Sequence, residues 1–236
     1  MTMLRFTLLG FPIRVQPWFF LTALLIGPRV ADPLRITVWV VAAFLGVLLH
    51  ELGHALAGRA YGLAPAIELH GFGGTTGWLE GRPLRPLQRV AVTAAGPGVG
   101  IAVGGLVMVL SRVLAPAPGS PFAWVMGDLL WVNLGWAVLN LAPILPLDGG
   151  AIVAALAEWG WGLRGRMAAH YGSLALAAAA AAWALLAGQW WLALVAGVLA
   201  AINLQAVRGR PAPPVGPAGG ADHRELLDGQ GRAPLE

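Results

Sequence analysis

Two imidazoles four residues apart, with a carboxylate beside the first, form the string His50-Glu51-Leu52-Gly53-His54. On a helix, His50 and His54 lie one turn apart on one face, as two ligands of a single ion must. Glu51 points to the neighbouring side, where it can reach a water beside that ion without being a ligand. This HExxH spacing is the arrangement of zinc hydrolases. The string closes an uncharged run from Ile36 to Leu49. Three ionisable groups therefore arrive inside or at the edge of a lipid bilayer, where such groups are costly and mark function. Snorkelling from a helix end would account for their depth, but it does not require their spacing.

A catalytic zinc takes three protein ligands and leaves a position for water, so a third donor must come from elsewhere in the chain. Asp148, Glu158, Glu68, Glu80, His70 and His170 are candidates on the same side of the membrane. Asp148 stands out by its surroundings, the string NLAPILPLDGG from Asn140 to Gly150. Pro143 and Pro146 prevent a regular helix there and let the chain turn inward. The two glycines after the acid allow a close backbone approach. Taken alone, Asp148 also suits an N-cap for the following AIVAALAEW segment. Asn140 alone would be a helix-packing amide; in a site it could donate to a developing oxyanion or hold a substrate backbone.

The elements that must position these groups are membrane spans. The chain has 236 residues, 58% hydrophobic and only 11% charged, with a mean hydropathy of +0.72. A soluble domain would need about twice that charge to cover its surface, so the fold expected is an all-α polytopic membrane protein. Apolar stretches predict about six transmembrane helices, near 17–30, 36–58, 88–111, 122–142, 168–187 and 189–207. The first is short and ends at Gly27-Pro28, so it is tilted or only partly inserted. Gly188-Gln189 is the expected turn between the last two. Asp128, in the fourth, is a loop-edge acid or a buried polar contact.

Between the second and third spans, Ala66 to His70 partly alternates and Gly71-Phe72-Gly73-Gly74-Thr75-Thr76-Gly77-Trp78 follows. Extended residues punctuated by glycine predict a small membrane-associated β-hairpin or sheet; an ordinary loop is the alternative. FPIRVQ near the N-terminus reads as a short interfacial strand. The first residues lack a small-x-small cleavage site after an apolar core, so no cleavable signal peptide is expected.

No cysteine is present, which excludes disulfides and thiolate metal sites. All fifteen basic residues are arginine, scattered through short loops rather than clustered on one face, so nucleic acid is not an expected partner. They set orientation instead. With the N-terminus cytoplasmic, only Arg29, Arg35 and Arg112 fall outside, and the His50–His54 end of its span faces the cytoplasm. The division expected is a membrane domain over 1–207, with the catalytic core near 36–150, followed by a Pro/Gly-rich disordered cytoplasmic tail over 208–236. His223 reads there as a solvated residue.

HELGH on one span, FGGTTGW, an Ala95-Gly96-Pro97 opening and NLAPILPLDGG, in this order and in a membrane chain, resemble the site-2 protease family of intramembrane zinc metalloproteases. The resemblance covers about residues 11–160, and the pairing of HExxH with NxxPxxPLDGG carries it. It implies one zinc per chain held by His50, His54 and Asp148, with Glu51 as the catalytic carboxylate and Asn140 assisting. It also implies a three-helix catalytic core made of the second to fourth spans. Many members have an asparagine a few residues after AGP, where this chain reads Gly98-Val99-Gly100. The short loops leave no room for a PDZ-like insertion, and no CBS-like domain follows, so the resemblance is to the compact bacterial type.

The activity so implied is hydrolysis of peptide bonds within or near transmembrane segments. The expected partners are the lipid bilayer and single-pass membrane proteins, such as anti-sigma factors or signal-peptide remnants, in the bacterial inner membrane. Gly73, Gly74 and Thr75 are the expected substrate-binding residues, where an unwound stretch can pair as an added strand. A non-proteolytic metal-binding transporter or scaffold is the alternative, weakened by the largely apolar fifth and sixth spans.

Overall fold

Prolines and polar caps set where the helices begin. In the computed structural model, which describes residues 3–209, α1 (Pro17–Ile26), α2 (Pro33–Ala60), α3 (Pro86–Leu114) and α4 (Pro121–Leu130) each open with a proline in the first turn, where the missing N–H is no loss. Asp32 caps α2 by accepting from the Leu34 N–H at 2.9 Å. Ser120 caps α4 by accepting from the Ala123 N–H at 3.1 Å. A π-helical turn, Trp131–Gly135, joins α4 to α5 (Trp136–Asn140) in one continuous rod. Two further helices follow, α6 (Asp148–Leu186) and α7 (Trp190–Val207). Gly162, at φ 59°, breaks α6 into two legs.

Five of these rods are long and apolar enough to cross a membrane: α2, α3, α4 through α5, α6 and α7. The protein is an integral membrane protein. The first apolar stretch differs from a full span: α1 has ten residues, about 15 Å of helix against a hydrocarbon core of about 30 Å. Gly27 ends it, and it packs on α2 and the sheet. Gly188, at φ 69°, makes the turn before α7 at the expected place. From Arg210 onward, His223 and nearly all of the expected tail lie outside the described residues.

The strands form one four-stranded sheet in the order β1 (Leu4–Leu8), β2 (Phe11–Val15), β3 (Ala64–His70), β4 (Gly73–Glu80). The expected interfacial strand is β2 and the expected hairpin is β3–β4. Two features go beyond the sequence reading. The N-terminal LRFTL forms β1, turned onto β2 through Leu9 and Gly10, both at positive φ. In addition, β2 pairs in parallel with β3, with Ile13 opposite Ile67 and Val15 opposite Leu69.

Alternation in β2 sends Phe11, Ile13 and Val15 inward, where they meet Ile67 and Leu69 of β3 and Val47, Leu48, Leu52 and Ala55 of α2. The sheet is thereby fastened to the half of α2 that carries the HExxH string. At the other end of α2, Arg35 makes a bidentate ion pair with Asp128 of α4, one bond at 2.7 Å. Asp128 is thus the buried polar contact of the two readings.

Asp128→Ala leaves Arg35, whose side chain is only 19% exposed, without its counter-charge. Unfolding of the purified protein in detergent should show a loss of about 3 kcal/mol, and an unchanged unfolding midpoint would mean the pair is not holding α2 to α4.

Candidate metal centre

His50 and His54 are 3% and 8% exposed, and Glu51 is 3% exposed. The imidazoles face α3 and the start of α6, whereas the carboxylate faces β4. His54 Nδ1 lies 2.9 Å from the Val92 carbonyl. A carbonyl only accepts, so Nδ1 carries the ring proton and Nε2 of the neutral ring holds a lone pair. That Nε2 is 3.1 Å from His50 Nε2 and 3.4 Å from Asp148 Oδ1. His50 Nε2 is 3.0 Å from Asp148 Oδ2. All three donors fall within 4.8 Å of one another.

Donors placed tetrahedrally about a zinc ion at ordinary bond lengths are separated by about 3.3 Å. The two imidazole nitrogens, 3.1 Å apart, agree with this to a few tenths of an ångström, and Asp148 offers one carboxylate oxygen to each ring, Oδ2 to His50 at 3.0 Å and Oδ1 to His54 at 3.4 Å. Two imidazole nitrogens and a carboxylate oxygen also suit zinc chemically. His54 Nε2 and Asp148 Oδ1 face each other as two acceptors across 3.4 Å, a repulsion that a cation between them relieves, so the residues fit the metal that the sequence implies.

The close approach behind this geometry is made by small residues. A side chain on Gly53 would place its Cβ 2.6 Å from the Ala95 carbonyl oxygen of α3. Gly96 lies against the His54 ring with no room for a side chain. Asp148 reaches the pair because the chain from Leu141 to Leu147 is not helical and α6 starts at the acid itself. Leu147 is the N-cap residue, so Asp148 does not serve as that cap.

On the other side of α2, β4 presents alternate residues to the helix. Gly74 lies against Glu51, where a Cβ would come 2.6 Å from Oε1. Thr76 Oγ1 is 2.8 Å from Glu51 Oε2 and 3.1 Å from the Glu51 carbonyl. Its hydroxyl has one proton to donate and fixes the carboxylate in place. The role of Thr76 was within reach of the sequence, because Gly74, Thr76 and Trp78 fall on one strand face. The carbonyl of Val92 carries no side-chain signal and was not.

The other candidate residues are placed as follows. Gly73 begins β4 beside Trp136, and Thr75 pairs with Glu68 in the register. Asn140 ends α5, half-buried, and no hydrogen bond among the described residues joins it to Glu51 or the three donors. Glu158 is taken up by Arg89 at 2.9 Å and Arg166 at 3.3 Å. Glu68 accepts from Gln16, His170 bonds Asn203, and His70 Nδ1 accepts from the Phe72 N–H. None of these four joins the donor group.

No protein-family model matches the chain. It is 32% identical over 213 residues to a protein of Synechocystis sp. provisionally named a zinc metalloprotease, an alignment covering 84% of this chain and 52% of that protein. It is 30% identical over 178 residues to a zinc metalloprotease of Methanocaldococcus jannaschii, covering 72% of this chain and 51% of that one. The chain thus spans about half the length of these relatives. Among solved structures, a site-2 protease from Methanocaldococcus jannaschii superposes with a TM-score of 0.65 at 25% identity, over 91% of this chain and all of that one.

Gly53→Ala should force α2 and α3 apart. The expected result is a stability loss of about 1–3 kcal/mol and a fall in bound zinc measured by elemental analysis. Gly98→Ala, in the α3 stretch that Gly53 packs against but with open space at its Cβ position, should lower neither.

Proposed function

The chain belongs to the site-2 protease family, and from that premise we propose that it is an intramembrane zinc metalloprotease. It would cleave single-pass membrane proteins within or near their transmembrane segments. The observation that carries this reading is the convergence of His50 Nε2, His54 Nε2 and the Asp148 carboxylate, with Glu51 beside them on the adjoining helix face. One zinc per chain is held by those three donors; when bound, it supplies the Lewis acidity that activates water and polarises a peptide carbonyl.

The chain's own residues do the rest. Glu51, oriented by Thr76, accepts the proton of the attacking water and delivers it to the leaving amide nitrogen. Asn140 donates its amide N–H to the oxyanion that develops on the scissile carbonyl. Burial of Glu51 and both histidines keeps bulk water from the reacting groups and strengthens each of these interactions.

A transmembrane helix hides its carbonyls in its own hydrogen bonds, so the substrate must unwind before it can be cut. In the sheet order β4 is an edge, and its Gly74 lies against Glu51. An unwound segment added along Gly73, Gly74 and Thr75 would have its exposed backbone groups satisfied by β4, next to the reacting centre.

The membrane so proposed is the inner membrane of a bacterium, and the arginine distribution supports a cytoplasmic N-terminus and a cytoplasmic active-site end. Of the three arginines outside that scheme, Arg35 is neutralised by Asp128. Anti-sigma factors and signal-peptide remnants are substrates of the right topology.

The test is incubation of the purified zinc-loaded protein with a panel of single-pass substrates, beside Glu51→Gln. Cleavage mapped within the spans, lost in Glu51→Gln at unchanged zinc content, is the expected result. Spans interrupted by glycine or proline should be cut faster than uninterrupted poly-leucine spans. Equal rates would contradict the unwinding step, and cleavage that survives Glu51→Gln would contradict the role of Glu51.

A further inference from the structure

Ser173 of α6 and Asn203 of α7 are 2% and 0% exposed, in helices built largely from alanine, leucine and valine. A polar side chain at membrane depth is costly unless it is partnered. Both find a partner in the same residue, Leu145. Ser173 Oγ accepts from the Leu145 N–H at 3.0 Å. Asn203 Nδ2 donates to the Leu145 carbonyl at 2.7 Å and to the Leu199 carbonyl at 2.9 Å. With Nδ2 so engaged, Oδ1 is the atom 3.0 Å from His170 Nδ1, and the imidazole donates to it. An amide flip would place an acceptor against both carbonyls and a donor against the imidazole N–H.

Leu145 lies three residues before Asp148, in the loop that brings this carboxylate to the two histidines. Ile144 and Leu147 are held by bonds inside the loop, Ile144 N–H to the Ala142 carbonyl at 2.8 Å and Leu147 N–H to the Ile144 carbonyl at 2.9 Å. Pro143 and Pro146 have no N–H to give. Leu145 alone sends both its backbone groups out of the loop. The backbone of Ile144 and Leu145 also lies against Gly150 too closely to admit a side chain there. Three residues of chain reach at most about 10 Å, so the anchored Leu145 restricts where the Asp148 carboxylate can sit.

We propose that Ser173, Asn203 and, through Asn203, His170 are positioning residues for Asp148, and that α6 and α7 hold the third donor of the metal centre by its loop. This gives the last two helices a part in the site besides packing: they clamp Leu145. None of the three side chains is a metal donor or touches one. The inference rests on the metal-centre reading above.

The test measures zinc affinity of the purified full chain against a graded competing chelator, with the visible spectrum of the cobalt-substituted protein as a second readout. Asn203→Leu removes the amide, and Ser173→Ala removes only the hydroxyl, a small change suited to a protein that must still fold. Ala196→Gly, at a buried α7 position, loosens packing without touching the cluster. Support would be zinc affinity reduced about tenfold or more in Asn203→Leu, a smaller reduction in Ser173→Ala, altered cobalt bands in both, and Ala196→Gly binding zinc as the unmodified protein does. Unchanged affinity and spectra in Asn203→Leu and Ser173→Ala would overturn the proposal while leaving the metal centre standing. Equal weakening by Ala196→Gly would also overturn it, by reducing the effect to packing. If the unmodified protein held no more zinc than Asp148→Ala, the metal-centre reading would fail and this proposal with it.

Discussion

Lipid offers no partner to a polar group, and α2 carries two imidazoles and a carboxylate on adjacent faces. The partners these groups have come from inside the protein. His54 takes the Val92 carbonyl for its Nδ1 proton, Glu51 takes the Thr76 hydroxyl, and the two Nε2 atoms turn to each other and to Asp148. Three elements distant in sequence are therefore gathered around one turn of helix: α3 against the imidazoles, β4 against the carboxylate, and the α5–α6 loop closing the cluster.

Small residues make this gathering possible. Gly53 lets the backbones of α2 and α3 approach, and Gly74 lets a strand lie against Glu51. The apolar side of the same helix turns is used to hold the sheet, through Leu48, Leu52 and Ala55 against Phe11, Ile13, Ile67 and Leu69. A strand edge is thereby brought beside a buried carboxylate. This placement matters to the proposed chemistry because an unwound substrate needs hydrogen-bond partners in the same place where it needs a proton acceptor.

Local patterns made much of this legible. HExxH spacing marked the helix face, charge-free length marked the spans, and two prolines before Asp148 marked a loop that could turn inward. Glycine punctuation marked the β3–β4 hairpin. What stayed hidden depends on pairings far apart in sequence. Arg35 meets Asp128 across 93 positions, Asn203 meets Leu145 across 58, and β2 meets β3 across the whole of α1 and α2. The parallel register has no turn to announce it, and Val92 acts through its backbone, which every residue type shares. The first stretch was apolar like a span, but Gly27 stops α1 at ten residues.

The measurement closest to the central claim is anomalous X-ray scattering at the zinc edge from crystals of the zinc-loaded protein. One peak per chain is expected, between His50 Nε2, His54 Nε2 and the Asp148 carboxylate and beside Glu51. A peak elsewhere, or none from protein that carries stoichiometric zinc in solution, would contradict it.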